Sequence, residues 1–309
     1  MKSLKHAVRE YINYRCGLGF TLTHDKLILE RFVSYMANKR ATYVTSDLAI
    51  AFATLNPHAS RVSWAVRLAT IRRFTEYWFH MDTRTEIPTQ CLGSTSYQRR
   101  APYIYSDDEI RRILECCKTT SSTYELERYS YFTWYGLMTI TGMRIGEIAR
   151  LDRKDLNQAE GVITIRNSKF RKSRHIPLHR STVQALEGYL DYRDHHIPKP
   201  KTSRLFIDHL GAALSTYRVR RVFRQLLIEV GIQRTSDGRP RIMDFRHTFA
   251  VNTLIRWYRR RVNIDQHIPL LSTYLGHVHL RHTYWYITAT PKLLKLIASR
   301  LENNKRRDS

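Results

Sequence analysis

Hydrophobic positions recur at three- and four-residue steps over the first eighty residues, most plainly at Trp64, Leu68, Ile71, Phe74 and Trp78. A helix gathers such positions on one face, so the pattern predicts helices near 3–16, 23–38, 46–55 and 60–79, with the stripe from Trp64 to Trp78 in a core. From Asp82 to Pro102 the period disappears and turn formers replace it, as in Gly93-Ser-Thr-Ser96. The chain therefore reads as a helical unit over 1–92, a linker over 93–102 and a second unit over 103–309.

The second unit opens on Ser106 and Glu109, which stand at capping-box spacing before Ile110, Ile113 and Leu114. Asp107, Asp108 and Glu109 then lie in a first helical turn, where negative charge complements the helix dipole, and need no metal-binding role. Val162–Arg166 and His175–Leu178 read as two strands joined by the basic loop 167–174. Helices are expected near 181–193, 215–230, 243–258, 268–275 and 291–303, with a short strand at 205–207. The fold class is mainly α with a small β-sheet.

Composition narrows the function. The chain has 309 residues, 42% of them hydrophobic, which suffices for two cores. Its 52 Lys and Arg against 27 Asp and Glu leave a net charge of +25, an excess that points to a polyanionic partner, with nucleic acid first. The longest apolar stretch, Tyr131 to Met143, is too short to span a bilayer and is interrupted by Thr and Gly. Lys2, Lys5, His6 and Arg9 stand where an export signal would be apolar, so a cytosolic location is expected, near the nucleoid and away from membranes. Cys16, Cys91, Cys116 and Cys117 have no metal-ligand spacing and read as reduced, mostly buried small hydrophobes.

Three segments combine basic residues with helix-start or turn chemistry: Thr141-Gly-Met-Arg-Ile-Gly-Glu147, Asp244-Phe-Arg-His-Thr-Phe-Ala250, and Leu275-Gly-His277 followed by Tyr286. In this order, with a hairpin lysine between the first two, they resemble the catalytic domain of the tyrosine recombinases, the phage-integrase type of site-specific DNA recombinase. The preceding helical unit is similar in size and position to that family's core-binding domain. The resemblance implies two domains that close around duplex DNA, strand cleavage through a 3′-phosphotyrosine link, and service to a mobile element. It implies no cofactor and no metal. Its partners would be double-stranded DNA, three further copies of the chain in a tetramer on two sites and, for some members, a second recombinase.

Residue by residue, Arg144 matches the family's first arginine and Glu147 the acidic residue that braces the site. Lys169, eight residues before Pro177, matches the lysine, with Lys172 as the competing candidate. Arg246 matches the second arginine and is followed by His247. His277 matches the third-box histidine, and Tyr286, nine residues on, has the nucleophile's spacing, with Tyr284 as a decoy. Arg171, Arg174, Arg256, Arg259 and Arg260 are read as phosphate contacts. One position departs from the pattern: Met243 stands where the family usually has His. The terminal segment places Leu293, Ile297 and Leu301 on one helical face, which either packs on its own domain or, as the resemblance implies, docks onto a neighbouring protomer.

The residue types suit that chemistry on their own terms. A tyrosine hydroxyl conserves the phosphodiester energy as an ester. Its free pKa of about 10 requires a base or cationic surroundings for attack near neutrality. Guanidinium forks suit the charge that builds on the non-bridging oxygens, and a hairpin lysine can protonate the departing 5′ oxygen. Two other readings stay open at this level. A type IB topoisomerase-like enzyme would use the same chemistry on one strand, and Met243 permits a non-catalytic DNA-binding accessory protein.

Overall fold

The structure is a computed structural model that describes residues 3–89, 101–120, 122–166, 173–233, 239–288, 290, 293–294 and 298. The chain divides into two compact units, 1–99 and 100–309.

Unit one holds four helices: α1 (Leu4–Gly17), α2 (Thr23–Asn38), α3 (Ser46–Thr54) and α4 (Arg61–Trp78). Hydroxyl residues start three of them. Ser3, Thr45 and Ser60 each accept a hydrogen bond from a backbone N–H three residues on, which satisfies one donor the helix cannot. Leu68, Ile71, Phe74 and Trp78 of α4 are buried among residues that include Phe32, Phe52 and Tyr11. Trp64 departs from the expected stripe. It is half-buried, because its indole N–H reaches the carbonyl of Asn56 (3.0 Å) and Ala65 takes the buried position.

Unit two begins with α5 (Asp107–Thr120), where Ser106 and Glu109 cap each other: Ser106 N–H donates to the Glu109 carboxylate (2.8 Å) and Glu109 N–H to Ser106 Oγ (3.1 Å). The three acids are first-turn residues, as expected. α6 (Glu125–Thr141) follows and carries the largest part of the core, with Tyr131, Trp134, Tyr135, Leu137 and Met138 all buried. It is absent from the helices expected above. Buried residues run almost all round it instead of along one stripe, the signature of a helix enclosed by its neighbours.

A short helix α7 (Ile145–Ile148) leads to a three-stranded antiparallel sheet, β1 (Leu156–Asn157), β2 (Val162–Ile165) and β3 (Arg174–Pro177), in which Ile163 faces Ile176 and Ile165 faces Arg174. The hairpin is the expected one, and β1 is an addition to it. Then come α8 (Arg180–His196), α9 (Thr216–Glu229), α10 (Asp244–Arg259), α11 (Ile264–Leu275) and α12 (Arg281–Thr288). α11 starts earlier than 268 because Asn263 caps it by accepting from Gln266 N–H (3.4 Å). No strand forms at 205–207; Arg204 and Ile207 make isolated bridges to Asp152 and Ala213.

A second apolar cluster joins α10, α11 and α12 through Val251, Leu254, Ile268, Leu271, Leu275 and Tyr286, and Leu293 is buried in it. Apart from Leu293, Leu294 and Ala298, the helix expected at 291–303 lies outside the described residues. Cys16 is exposed, against expectation, whereas Cys117 is buried. Among the described residues no helix is long and apolar enough to cross a membrane.

Candidate active site

Two helix ends organise the site. α6 stops at Gly142 and α11 at Gly276, both in the left-handed conformation (φ +60° and +66°) that glycine adopts without strain. Space imposes glycine as well. A Cβ at Gly142 would lie 2.7 Å from the Phe249 ring, and one at Gly276 would lie 2.8 Å from the Arg174 guanidinium.

The last carbonyls of a helix have no partner within it and carry the negative end of its dipole. Here arginines supply the donors. Arg246 donates from Nη1 to Gly142 O (2.8 Å) and from Nη2 to Leu275 O (2.6 Å), so one guanidinium ties both helix ends together. Arg144 donates from Nη2 to Gly276 O (3.0 Å), and Arg174 from Nε to Tyr274 O (2.7 Å). Three arginines from separate segments thus converge on three successive carbonyls.

Glu147 holds two of them in place. Its side chain is only 2% exposed, accepts from Arg144 Nη1 (2.7 Å) and the Arg144 N–H (3.0 Å), and takes a two-pronged bond from Arg174 (3.0 and 2.8 Å). Burial pushes the Glu147 carboxyl upward, but the hydrogen bonds and charges of Arg174 and Arg144 outweigh it and bring its pKa down to about 2. Arg174, expected on the DNA-facing side of the hairpin, is instead turned inward with its side chain 9% exposed. Its fork is used on Glu147 and on the end of α11.

This pairing yields a stability prediction. With a folded pKa of about 2 against an ordinary 4.5, ionised Glu147 stabilises the fold above about pH 4.5, and that contribution disappears as the pH falls towards 2. It amounts to roughly 3 kcal/mol. Glu147→Gln leaves the enclosed Arg174 guanidinium and the partly exposed Arg144 guanidinium without their counter-charge and should cost about 3–5 kcal/mol at pH 7 in chemical unfolding. The gap between wild type and variant should narrow between pH 5 and pH 2; a gap that stays constant would refute the ion-pair account.

Arg246 is 3% exposed. Burial first, and the nearby charge of Arg144 second, lower its pKa to about 10, so it stays charged at neutrality. Two of its five N–H bonds serve the carbonyls, and the fork retains three more for an anion.

α12 brings the phenol to this cationic ground. The hydroxyl of Tyr286 lies 3.1 Å from His247 Nδ1, and the His277 ring lies nearly parallel to the Tyr286 ring at 6.2 Å. His277 Nδ1 is hydrogen-bonded to Thr283 Oγ1 (2.8 Å), which orients the imidazole. Tyr286 is 2% exposed, whereas Tyr284 is 42% exposed on another side of the helix. Tyr286 therefore meets the two histidines, and Tyr284 stands outside that arrangement.

Arg144, Glu147, Arg246, His247, His277 and Tyr286 accordingly share one site. Met243, half-buried at the start of α10, packs against the larger apolar cluster. Lys169, Arg171 and Lys172 lie outside the described residues. Arg256, Arg259 and Arg260 are exposed and line a cleft of about 660 Å³ with Asp107, Asn252 and Thr290. Sequence reasoning missed the inward role of Arg174 and the carbonyls of Tyr274, Leu275 and Gly276. The helix-ending glycine was a readable signal for the latter. A constellation of two guanidiniums, two imidazoles and a phenol can bind a phosphodiester and place a nucleophile against it.

The phage integrase family model matches residues 104–292. Over 98% of both chains, this protein is 37% identical to the "Putative integrase/recombinase y4rB" of Sinorhizobium fredii. It is 26% identical to the tyrosine recombinase XerC of Chlamydia muridarum, over 75% of this chain and 68% of that one. Among solved structures, the Tn1549 transposon integrase in complex with transposon right end DNA is similar in fold, with a TM-score of 0.65 at 17% identity, covering 97% of this chain and 100% of that one.

Proposed function

Because the chain belongs to the phage integrase family, the tyrosine recombinases that break and rejoin DNA, we propose that it recombines duplex DNA at specific sites for a mobile element through a 3′-phosphotyrosine intermediate. The observation that carries this reading is the placement of the Tyr286 hydroxyl against His247, in the site where Arg144 and Arg246 meet the end of α11. Arg144 and Arg246 hold the non-bridging oxygens, His277 donates to the same phosphate, and Tyr286 attacks phosphorus. Lys169 protonates the departing 5′ oxygen. Arg171, Arg256, Arg259 and Arg260 add phosphate contacts, which contribute affinity without sequence choice. Four copies assemble on two duplex sites. The similarity to a transposon integrase bound to a transposon end supports the mobile-element assignment.

The test is covalent capture. A randomised pool of duplexes, each nicked so that the short fragment released with a 5′ hydroxyl diffuses away, is incubated with the full chain, and strands bound through denaturation are sequenced. Tyr286-dependent capture of a defined sequence, followed by strand exchange between two copies of it in a complex of four protomers, supports the reading. Supercoil relaxation by a monomer with no exchange would favour topoisomerase-like action.

Met243 favours a second reading. A thioether neither donates a good hydrogen bond to a phosphate oxygen nor carries charge, and here it packs against the apolar cluster. Met243→His should raise the single-turnover cleavage rate about tenfold, roughly 1.4 kcal/mol. A lower rate would mean that the site is built around methionine. If neither form captures DNA covalently while both bind it, the chain is an accessory DNA-binding member of the family.

A further inference from the structure

We propose that His247 is the base that takes the proton from Tyr286, with Asp244 positioning its imidazole; this rests on Tyr286 being the nucleophile, as above. His247 sits on the first turn of α10, one residue after Arg246, and three features of its surroundings define the role. Its Nδ1 lies 3.1 Å from Tyr286 Oη, at hydrogen-bond distance from the atom that must lose a proton. On the opposite side of the ring, Nε2 lies 4.0 Å from Oδ1 of Asp244, a fully buried residue one helical turn earlier. Asp244 is in turn held by Arg241, which donates from its backbone N–H to Oδ2 (2.7 Å) and from Nη2 to Oδ1 (3.1 Å).

The carboxylate fixes the direction of proton transfer. Negative charge beyond Nε2 favours the tautomer with hydrogen on that nitrogen, which leaves the Nδ1 lone pair facing the phenol. The same charge stabilises the imidazolium that forms when the proton arrives. Trp285 packs edge-on to the imidazole (5.6 Å between centroids) and limits its movement. His277 is oriented differently, since its own Nδ1 is engaged by Thr283. The two histidines therefore divide the work: His277 serves the phosphate and His247 serves the nucleophile.

In cleavage, the proton on Tyr286 Oη passes to His247 Nδ1 as Oη bonds to phosphorus. The bond from phosphorus to the 5′ oxygen breaks, its electron pair stays on that oxygen, and the lysine proposed above supplies the proton. In rejoining, the 5′ hydroxyl returns its proton to the lysine and attacks phosphorus. The phosphotyrosine bond then breaks and Oη recovers its proton from His247.

Single-turnover cleavage of the captured duplex tests the role, with Tyr286→Phe run in parallel. His247→Ala should slow adduct formation by about a hundredfold. His247→Gln can still hydrogen-bond the phenol but cannot accept its proton at neutral pH, so it should be as slow as His247→Ala. A duplex with sulfur in place of the bridging 5′ oxygen needs no proton on its leaving group, and it should leave the His247→Ala deficit unchanged. Wild-type rates in His247→Ala or His247→Gln, or recovery on the sulfur duplex, would overturn the proposal. An adduct that survives Tyr286→Phe would instead remove the nucleophile assignment itself.

Discussion

Tyr286→Phe is expected to bind the captured duplex as wild type does and to yield no covalent adduct on a denaturing gel. The substitution removes one oxygen and keeps the ring, which fills a position in the apolar cluster of α10, α11 and α12 beside Leu275 and Leu293. Folding loses the hydrogen bond to His247, worth about 1 kcal/mol. The proposed cleavage loses its nucleophile. The neighbouring candidate, Tyr284, is 42% exposed on a different side of α12, whereas the Tyr286 hydroxyl lies 3.1 Å from His247 Nδ1. Tyr284→Phe should therefore cleave at the wild-type rate. The opposite pattern, with adduct from Tyr286→Phe and none from Tyr284→Phe, would show that DNA binding re-registers α12.

Arg246→Ala should lower cleavage by at least a hundredfold, on the order of 3 kcal/mol of transition-state stabilisation. Two effects contribute, and they can be separated. The first is catalytic: a guanidinium already removed from water interacts strongly with developing phosphate charge, because little solvent remains to screen it. The second is structural, since Arg246 is the donor that joins Gly142 O to Leu275 O, and each carbonyl left without a partner costs about 1–3 kcal/mol. Arg246→Lys keeps the charge but cannot span both carbonyls and still present a fork. It should recover part of the stability and little of the rate. Cleavage is to be compared at a temperature where unfolding curves show each variant folded. A normal rate in either would remove Arg246 from the phosphate clamp.

The same residues mark where sequence and tertiary structure each do their part. Helix starts were legible at local hydroxyl caps: Ser3, Thr45, Ser60 and the reciprocal pair Ser106 and Glu109 act within a few residues of themselves, whereas the amide cap Asn263 of α11 was missed. The β2–β3 hairpin was legible because alternation and a basic loop are also local. α6 was not, because enclosure on all sides erases the stripe that betrays an amphipathic helix. The candidates for the proposed site also came from residue type and spacing: Arg144, Glu147, Arg246, His277 and Tyr286 stand in order along the chain, and the fold brings them together in space.

What each of those side chains touches belonged to the tertiary structure alone. Arg174 looked like one more cation on a DNA-facing loop until β3 placed it against Glu147 and the end of α11. His247 and Tyr286 are 39 residues apart, and only the packing of α12 on α10 makes them partners. Backbone carbonyls are present at every position, so sequence cannot say which four will receive the arginines; the two left-handed glycines that end α6 and α11 decide it by leaving those oxygens without helical partners. Sequence specifies which groups are available and the local turns that present them. Long-range packing chooses their neighbours, because a hydrogen bond or an ion pair depends on a distance of a few ångströms that no spacing along the chain encodes.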